Sequence, residues 1–279
     1  MKIIIPSHVS GLWVPYYGTN SLESGSIGAG LNLSLYMEAY VVRGPCRVLL
    51  NNREVFNDLA EKICLETGLR TETKIISPID LGLGFGVSAG ILIAHALGSY
   101  LLANKPSLKA LQKAHVLEVE NKTGLGDVIA EYTGGLAIRV KPGAPGVGSA
   151  YRVIPREKLH LVITSLSGME STPMMLSRMS RETMALGEKL LGKIIETEDV
   201  SMFFEYSRCF TSKLFNYELL NNVLSGLRGV IDYYLKKSAL IIWVEKSYIN
   251  DVIEVLNNRG FKTHYATISH MGVTVEYTS

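Results

Sequence analysis

The segment Asp80-Leu-Gly82-Leu-Gly84-Phe85-Gly86-Val87-Ser88-Ala89-Gly90 concentrates chemically useful backbone in a few residues. Three alternating glycines leave N–H groups free to face inward without Cβ obstruction, and a helix opening after them adds the positive partial charge of its N-terminus. Such a turn is an anion cradle suited to phosphate. Val87 stands where GxGxxG needs its last glycine, and no Gly-Lys follows as in GxxxxGK[ST], which argues against a dinucleotide fold and a P-loop NTPase. Taken alone, the turn could also be a tight strand-to-helix connection whose glycines serve packing.

Two acidic segments follow it. Ala114-His115-Val-Leu-Glu118-Val119-Glu120 puts carboxylates on a helix, and Thr123-Gly-Leu-Gly126-Asp127-Val128 sets a lone aspartate between glycines and an apolar run. Phosphoryl transfer needs a divalent cation on oxygen ligands and a group that orients the attacking hydroxyl. Ser88, Glu118 and Asp127 are the right types for that work. Arg139 follows Gly134-Gly135 on a strand and offers a planar fork for carboxylate or phosphoryl oxygens. Each residue has a plainer reading: Asp127 as a helix cap, Arg139 on a strand surface, His8 as a structural histidine. Their combination points to a kinase.

The elements around them can be read from periodicity. Lys2–Ile5, Ser34–Val42, Cys46–Leu50, Thr71–Ile76 and Leu136–Val140 read as strands. Asn57–Thr67 (closed by Gly68), Ser88–Ala103, Ser107–Glu120 and about Gly126–Glu131 read as helices. Ser24–Gly30 is too rich in glycine for a strand interior and reads as a loop approaching a ligand. The Pro/Gly cluster Lys141–Gly148 is the expected boundary between a first lobe, 1–148, and a second, 149–279. In the second lobe a strand near Leu159–Thr164 precedes helical segments between Thr172 and Lys236. A strand at Ala239–Val244, a helix at Tyr248–Asn258 and strands at Phe261–Ile268 and Gly272–Tyr277 complete an α+β unit. Thr172 is expected to cap a helix with Pro173 at its first position, and Met174, Met175, Met179 and Met184 to form a packed face.

Composition narrows the classes of function. The 279 residues are 47% hydrophobic and 19% charged, which describes an ordinary globular protein rather than a disordered chain. The 28 basic and 26 acidic residues are interleaved, so no basic stripe is offered to nucleic acid. The apolar run from Ala89 is interrupted at His95, Gly98 and Ser99, too short for a membrane span, and the opening MKIIIP is too short for a signal peptide. Cys46, Cys64 and Cys209 form no CxxC pair, so neither a disulfide nor a zinc knuckle is expected and a reducing cytoplasm fits. The histidines show no ligand spacing, and no permanent metal site is assigned.

In chain order, Pro6-Ser-His8-Val-Ser10-Gly11, Gly25-Ser26-Ile-Gly28-Ala29-Gly30, Gly84-Phe85-Gly86-Val87-Ser88, Ala114-His115 with Glu118-Val119, and Thr123-Gly-Leu-Gly-Asp127-Val128 span residues 1 to 145. Together they resemble the GHMP small-molecule kinases, the superfamily of galactokinase, homoserine kinase and mevalonate kinase, and most closely its archaeal branch that acts on pantoate. The resemblance implies the GHMP kinase fold, α/β (α+β), with a ribosomal-protein-S5-domain-2-like first lobe and a ferredoxin-like second lobe. It implies ATP on Gly82, Gly84, Phe85, Gly86, Val87, Ser88 and Ala89, and Mg²⁺ on Ser88 and Glu118. Asp127 would accept the proton of the substrate hydroxyl, and Arg139 would face the substrate carboxylate or the moving phosphoryl group. His8, Ser26 and Gly28 would sit at the substrate end. The implied reaction is ATP-dependent conversion of pantoate to 4-phosphopantoate on the archaeal route to coenzyme A. The implied protein is cytoplasmic, takes pantoate as its small-molecule partner, is open to forming a homodimer, and binds no nucleic acid and no membrane. Homoserine, mevalonate or shikimate as acceptor, or metabolite binding without catalysis, are the competing readings. Asp80 departs from the proline usual at that place, and is expected to face solvent or cap. The family's third glycine-rich motif survives only as Ile268-Ser-His-Met-Gly272.

Overall fold

The computed structural model describes residues 1–166 and 170–277. The chain opens with two long antiparallel strands, β1 (Lys2–Tyr16) and β2 (Gly25–Arg43). β3 (Arg47–Leu50), β4 (Arg53–Val55), α1 (Asn57–Thr67) and β5 (Thr71–Ile76) follow. Then come α2 (Val87–Leu102), α3 (Ser107–Glu120), α4 (Asp127–Thr133), β6 (Leu136–Lys141) and β7 (Ser149–Val153). The second half holds β8 (Leu161–Ser165), α5 (Thr172–Ser177), α6 (Arg181–Thr197), α7 (Val200–Thr211) and α8 (Glu218–Leu224). It ends with β9 (Val230–Lys236), β10 (Ala239–Val244), α9 (Ile249–Asn258), β11 (Thr263–Ala266) and β12 (Thr274–Glu276).

One sheet runs β12-β1-β2-β5-β3-β4, with β6 on the first part of β2 and β7 on β6. β2 can serve β6 and β5 in turn because its nineteen residues outrun either partner. The other sheet runs β11-β8-β10-β9, every pair antiparallel, the strand order of a ferredoxin-like βαββαβ unit. β7, past the Pro/Gly cluster, and β12, near the end of the chain, both return to the first sheet. Among the described residues no helix is long and apolar enough to cross a membrane.

Three expectations need correction. Gly25–Gly30 is strand, paired to β1 on one side and β6 on the other. Its glycines answer side chains rather than a turn: a Cβ on Gly30 would lie 2.6 Å from the His8 ring. The opening strand does not stop at Ile5, because Pro6 falls at a register shift where its missing N–H is tolerated. Val230–Lys236 is strand β9, not the end of a helical run, and Gly226 and Gly229, both at positive φ, separate it from α8.

A fourth correction concerns the cysteines. Cys46 and Cys64 form a disulfide with Cα atoms 6.4 Å apart, because α1 folds back onto β3 and erases their separation of 18 in sequence. Cys209 is free and exposed.

The core runs through both halves without a break. α2 is buried along nearly its whole length, since it lies between the first sheet and α1, α3 and α4. From the second half, α7 sets Phe210 edge-on to Trp13 of β1 (5.0 Å) and Phe203 edge-on to Tyr234 of β9 (5.6 Å). The Tyr234 hydroxyl then donates to the Val9 carbonyl of β1 (3.0 Å). A fully buried hydroxyl without that acceptor would cost about 1–3 kcal/mol, so the bond fixes where β9 can sit.

A disulfide closing this loop should contribute about 3 kcal/mol through lost freedom of the unfolded chain. Urea unfolding of Cys46→Ala/Cys64→Ala should show a loss of that size. Three titratable thiols in the denatured, unreduced protein would contradict the bridge.

Candidate active site

The glycine-rich turn delivers the chain from β5 to α2. Gly82, Gly84 and Gly86 have φ of +90°, +98° and +75°, a left-handed path that residues with a Cβ resist. Gly86 immediately precedes α2, so the amides of Val87, Ser88 and Ala89 open the helix without partners from an earlier turn of it. Phe85 is buried and anchors the turn, its carbonyl accepting from the His8 amide (3.0 Å). Asp80 is exposed, as expected.

A cleft of about 390 Å³ opens beside this turn. Gly82, Gly84, Phe85, Gly86, Val87 and Ser88 form one wall; Thr123–Asp127, with Ser10, Trp13 and Ser26, form another. The third comes from the second half: Thr172 and Met175 of α5, and Lys236 and Lys237 of the β9–β10 hairpin. Ala89 faces the core. The remnant Ile268–Gly272 does not line the cleft; Ser269 instead ties Asn32 to Gly135 through backbone bonds of 2.8 and 2.7 Å.

Ser88 Oγ donates to Glu118 Oε1 (3.0 Å), bringing the helix start and the end of α3 together. Glu118 is fully buried and its Oε2 has no partner. Burial, then the negative charge of Asp127, pushes its carboxyl up to about 8, against the Ser88 bond. A hydroxyl beside a carboxylate with a spare oxygen is a hard-oxygen donor set that fits Mg²⁺. Gly124 leaves that oxygen room, since a Cβ there would lie 2.7 Å from Glu118 Oε2.

Asp127 begins α4, where the helix N-terminus favours its charge. Burial opposes ionisation, but Lys236, whose Nζ lies 3.3 Å from Oδ1, outweighs it together with His8 when protonated in acid, Arg139 and Lys237, and the carboxyl falls to about 2. It is therefore an anion at neutral pH.

Arg139 and His8 stand behind the wall, both fully buried. Arg139 donates to His8 Nε2 (3.3 Å) and to Ser10 Oγ (3.4 Å), and its Nε is left without a partner. Burial lowers the guanidinium to about 10, opposed by Asp127, so the charge persists. Burial also drops His8 to about 3, and the arginine fixes the tautomer by requiring Nε2 to accept. The 3.9 Å approach of His8 to Asp127 is thus no ion pair at neutral pH. Gly28 is the register partner of Arg139, and a Cβ there would come within 2.9 Å of its Nη2. A Cβ on Gly126 would crowd Ser26 Oγ (2.4 Å) and Arg139 Nε (2.8 Å), which locates Ser26 at the Arg139 end of the cleft.

Sequence reasoning missed three contributors, Lys236, Lys237 and Ser10, and preferred a helix cap over a cleft hydroxyl for a fourth, Thr172. Lys236 closed the expected helical run and Lys237 lay just past it; the signal was two lysines between alternating β-branched and aromatic runs, the pattern of a hairpin. Ser10 sat within a quoted motif but received no role. Thr172 was expected as a cap, but Ser171 caps α5, accepting from Met174 N (3.3 Å), and Pro173 is the second helical residue. Thr172 Oγ1 instead donates to the Thr123 carbonyl (2.6 Å) and accepts from Lys237 Nζ (2.9 Å). Gly168 and Met169 of the same segment lie outside the described residues. The four methionines belong to two helices and the link between them: Met175 is buried and Met174 exposed.

Glu131 of α4 is buried under the turn with neither oxygen hydrogen-bonded; a Cβ on Gly86 would lie 2.2 Å from its Oε1. Burial, then the charges of Asp127 and Glu118, raise it well above 4.5.

No family model matches the sequence. The fold is that of the GHMP kinases. It is shared with a mevalonate kinase (14% identical, TM-score 0.69, covering 97% of this chain and 99% of that one) and with mevalonate diphosphate decarboxylase from Staphylococcus aureus (14%, 0.72, 99% and 97%). Within that class the chain is similar to pantoate kinases. One, from Thermococcus kodakarensis, is 28% identical over 88% of this chain and 85% of its own length. Another, from Methanocaldococcus jannaschii, is 26% identical over 91% and 96%. A solved phosphotransferase related to the coenzyme A biosynthesis pathway is 25% identical, covers 98% of each chain and has a TM-score of 0.77.

The raised Glu131 carboxyl has a consequence for stability. The folded protein keeps a proton that the unfolded chain releases near 4.5, so this group's stabilisation is present below that pH and is lost as pH rises toward the folded value. Glu131→Gln should match the parent near pH 4.5 and be the more stable at pH 8, by up to about 1.4 kcal/mol per pH unit. Parallel stability–pH curves would refute this assignment.

Proposed function

We propose that the protein phosphorylates pantoate with ATP, giving 4-phosphopantoate and ADP in coenzyme A biosynthesis. The observation that carries this reading is one cleft in which the glycine turn, the Ser88–Glu118 pair and an ionised Asp127 converge. The similarity to pantoate kinases along most of the chain supports the same activity.

The triphosphate rests against the amides of Gly82, Gly84, Phe85, Gly86, Val87, Ser88 and Ala89. Ser88 and Glu118 hold Mg²⁺, which when bound neutralises charge on the phosphate oxygens; a solved relative of this fold, 14% identical, was described in complex with AMPPCP and magnesium. Pantoate offers a carboxylate, a dimethylated carbon and a primary hydroxyl. The carboxylate meets the Ser10 and Ser26 hydroxyls, with Arg139 behind them lending its charge through Ser10, the methyl groups meet the Trp13 side of the cleft, and the hydroxyl points to Asp127. His8 and Gly28 act from behind, the ring accepting from Arg139 and the glycine clearing space for it.

Asp127 is too weak a base to strip the hydroxyl in advance. In a loose phosphoryl-transfer transition state the alcohol becomes strongly acidic only as its oxygen bonds to phosphorus. Asp127 therefore orients the hydroxyl first and receives the proton late. The same reading makes the protein cytoplasmic, where disulfides are rare outside hyperthermophiles.

Purified protein with ATP, Mg²⁺ and pantoate should release ADP, and Asp127→Asn should lower kcat by about 10²–10⁴-fold. Equal ADP release with homoserine, mevalonate or shikimate would overturn the choice of acceptor. No ADP with any acceptor would overturn the kinase reading.

A further inference from the structure

The β9–β10 hairpin meets the phosphate turn edge-on. A Cβ on Gly84 would lie 2.6 Å from the Lys236 carbonyl and 3.3 Å from Lys237 Cβ. Ser238 Oγ donates to the Leu83 carbonyl (3.1 Å), and the Leu166 amide donates to the Ser238 carbonyl (2.7 Å). The turn of the hairpin is thus bonded to the cradle on one side and to the end of β8 on the other. Tyr234, two residues before Lys236, is tied to β1. Lys236 and Lys237 are held on a rigid support against the wall opposite Thr123–Asp127.

Their surroundings differ. Lys236 is almost fully buried and meets Asp127. Lys237 is half-buried, and its hydrogen bond goes to Thr172 Oγ1, a neutral group. A partly desolvated ammonium with a neutral partner is costly unless an anion completes its shell. Lys237 also takes φ +55° at the turn, a conformation that glycine or asparagine adopts more easily. Local preference has been overridden where this cation of the second half meets the phosphate turn. Lys236 and Lys237 line the cleft, Arg139 adds its charge from behind the wall, and the Asp127 carboxylate is already matched by Lys236.

We infer that Lys236 and Lys237 form a cationic clamp on the transferred phosphoryl group, closing the site from the second lobe as a further catalytic pair. This rests on the kinase reading above. As the acceptor oxygen bonds to the γ-phosphorus, the bond from that phosphorus to the β–γ bridging oxygen breaks, its electron pair leaves on ADP, and the hydroxyl proton passes to Asp127. Lys236, beside Asp127, sits where charge is redistributed onto the equatorial oxygens of the moving group. Lys237, between Thr172 and Gly84, holds the ground-state phosphates. The two lysines therefore predict separable defects.

The test uses the full chain with a β,γ-methylene ATP analogue and Mg²⁺, calorimetry for affinity, thermal unfolding for fold, and steady-state kinetics with pantoate. Lys237→Gly should unfold no lower than the parent, because glycine suits the turn, yet bind the analogue at least about tenfold more weakly. Lys236→Met keeps the buried stem and should lower kcat about 10²–10³-fold while analogue affinity changes little, and Lys236→Arg should recover part of the rate. Folded variants that keep both affinity and kcat within threefold of the parent would overturn the clamp. If the parent made no ADP with any acceptor, the kinase reading alone would fall, because analogue binding by Lys237→Gly against the parent still decides whether Lys237 holds phosphates.

Discussion

The carboxylate of Asp127 has to stay ionised although only 15% of its side-chain surface is exposed. Burial by itself would protonate it, as it does Glu118 and Glu131 nearby. Lys236 from the second half and Arg139 from the first reverse the balance, and both are fixed by backbone rather than by each other. The consequence is three acids in one neighbourhood with divided states: one anion and two carboxyls held toward neutrality. Separating neighbouring acids in this way gives a single fold both a fixed charge for orienting a hydroxyl and a proton-bearing group that a cation can displace.

Charged side chains in the interior need space as well as partners, and the glycines supply it. Gly30 makes way for the His8 ring, Gly28 and Gly126 for Arg139, Gly124 for Glu118, and Gly86 for Glu131. The glycine content of β2 is therefore a record of what lies against it. A strand through this region would otherwise carry β-branched side chains, and Arg139 could not lie against its register partner.

The two halves act as one support because the aromatic contacts of α7 with β1 and β9, and the Tyr234 hydroxyl on Val9, fill the interface between sheets. This is what makes a hairpin from the second sheet a wall of a cleft whose other walls belong to the first. On the far side of α2 the Cys46–Cys64 bridge ties α1 to β3, bracing the helix whose first turn forms the cradle.

Local chemistry determined the parts of this protein that depend on neighbours in sequence. Alternating glycines before an apolar run specify a left-handed turn opening a helix, and the ordered motifs carry Ser88, Glu118, Asp127 and Arg139 with the GHMP fold. Asp80 facing solvent was legible for the same reason. The tertiary structure decided whatever depends on residues far apart in the chain. Whether Ser24–Gly30 is loop or strand turns on His8 and Arg139 arriving from other strands, and the disulfide turns on how α1 folds back. Lys236 reaches Asp127, and Lys237 reaches Thr172, only when β9 and β10 pair and Tyr234 docks on β1. Long-range pairing sets their position, and no local spacing encodes it.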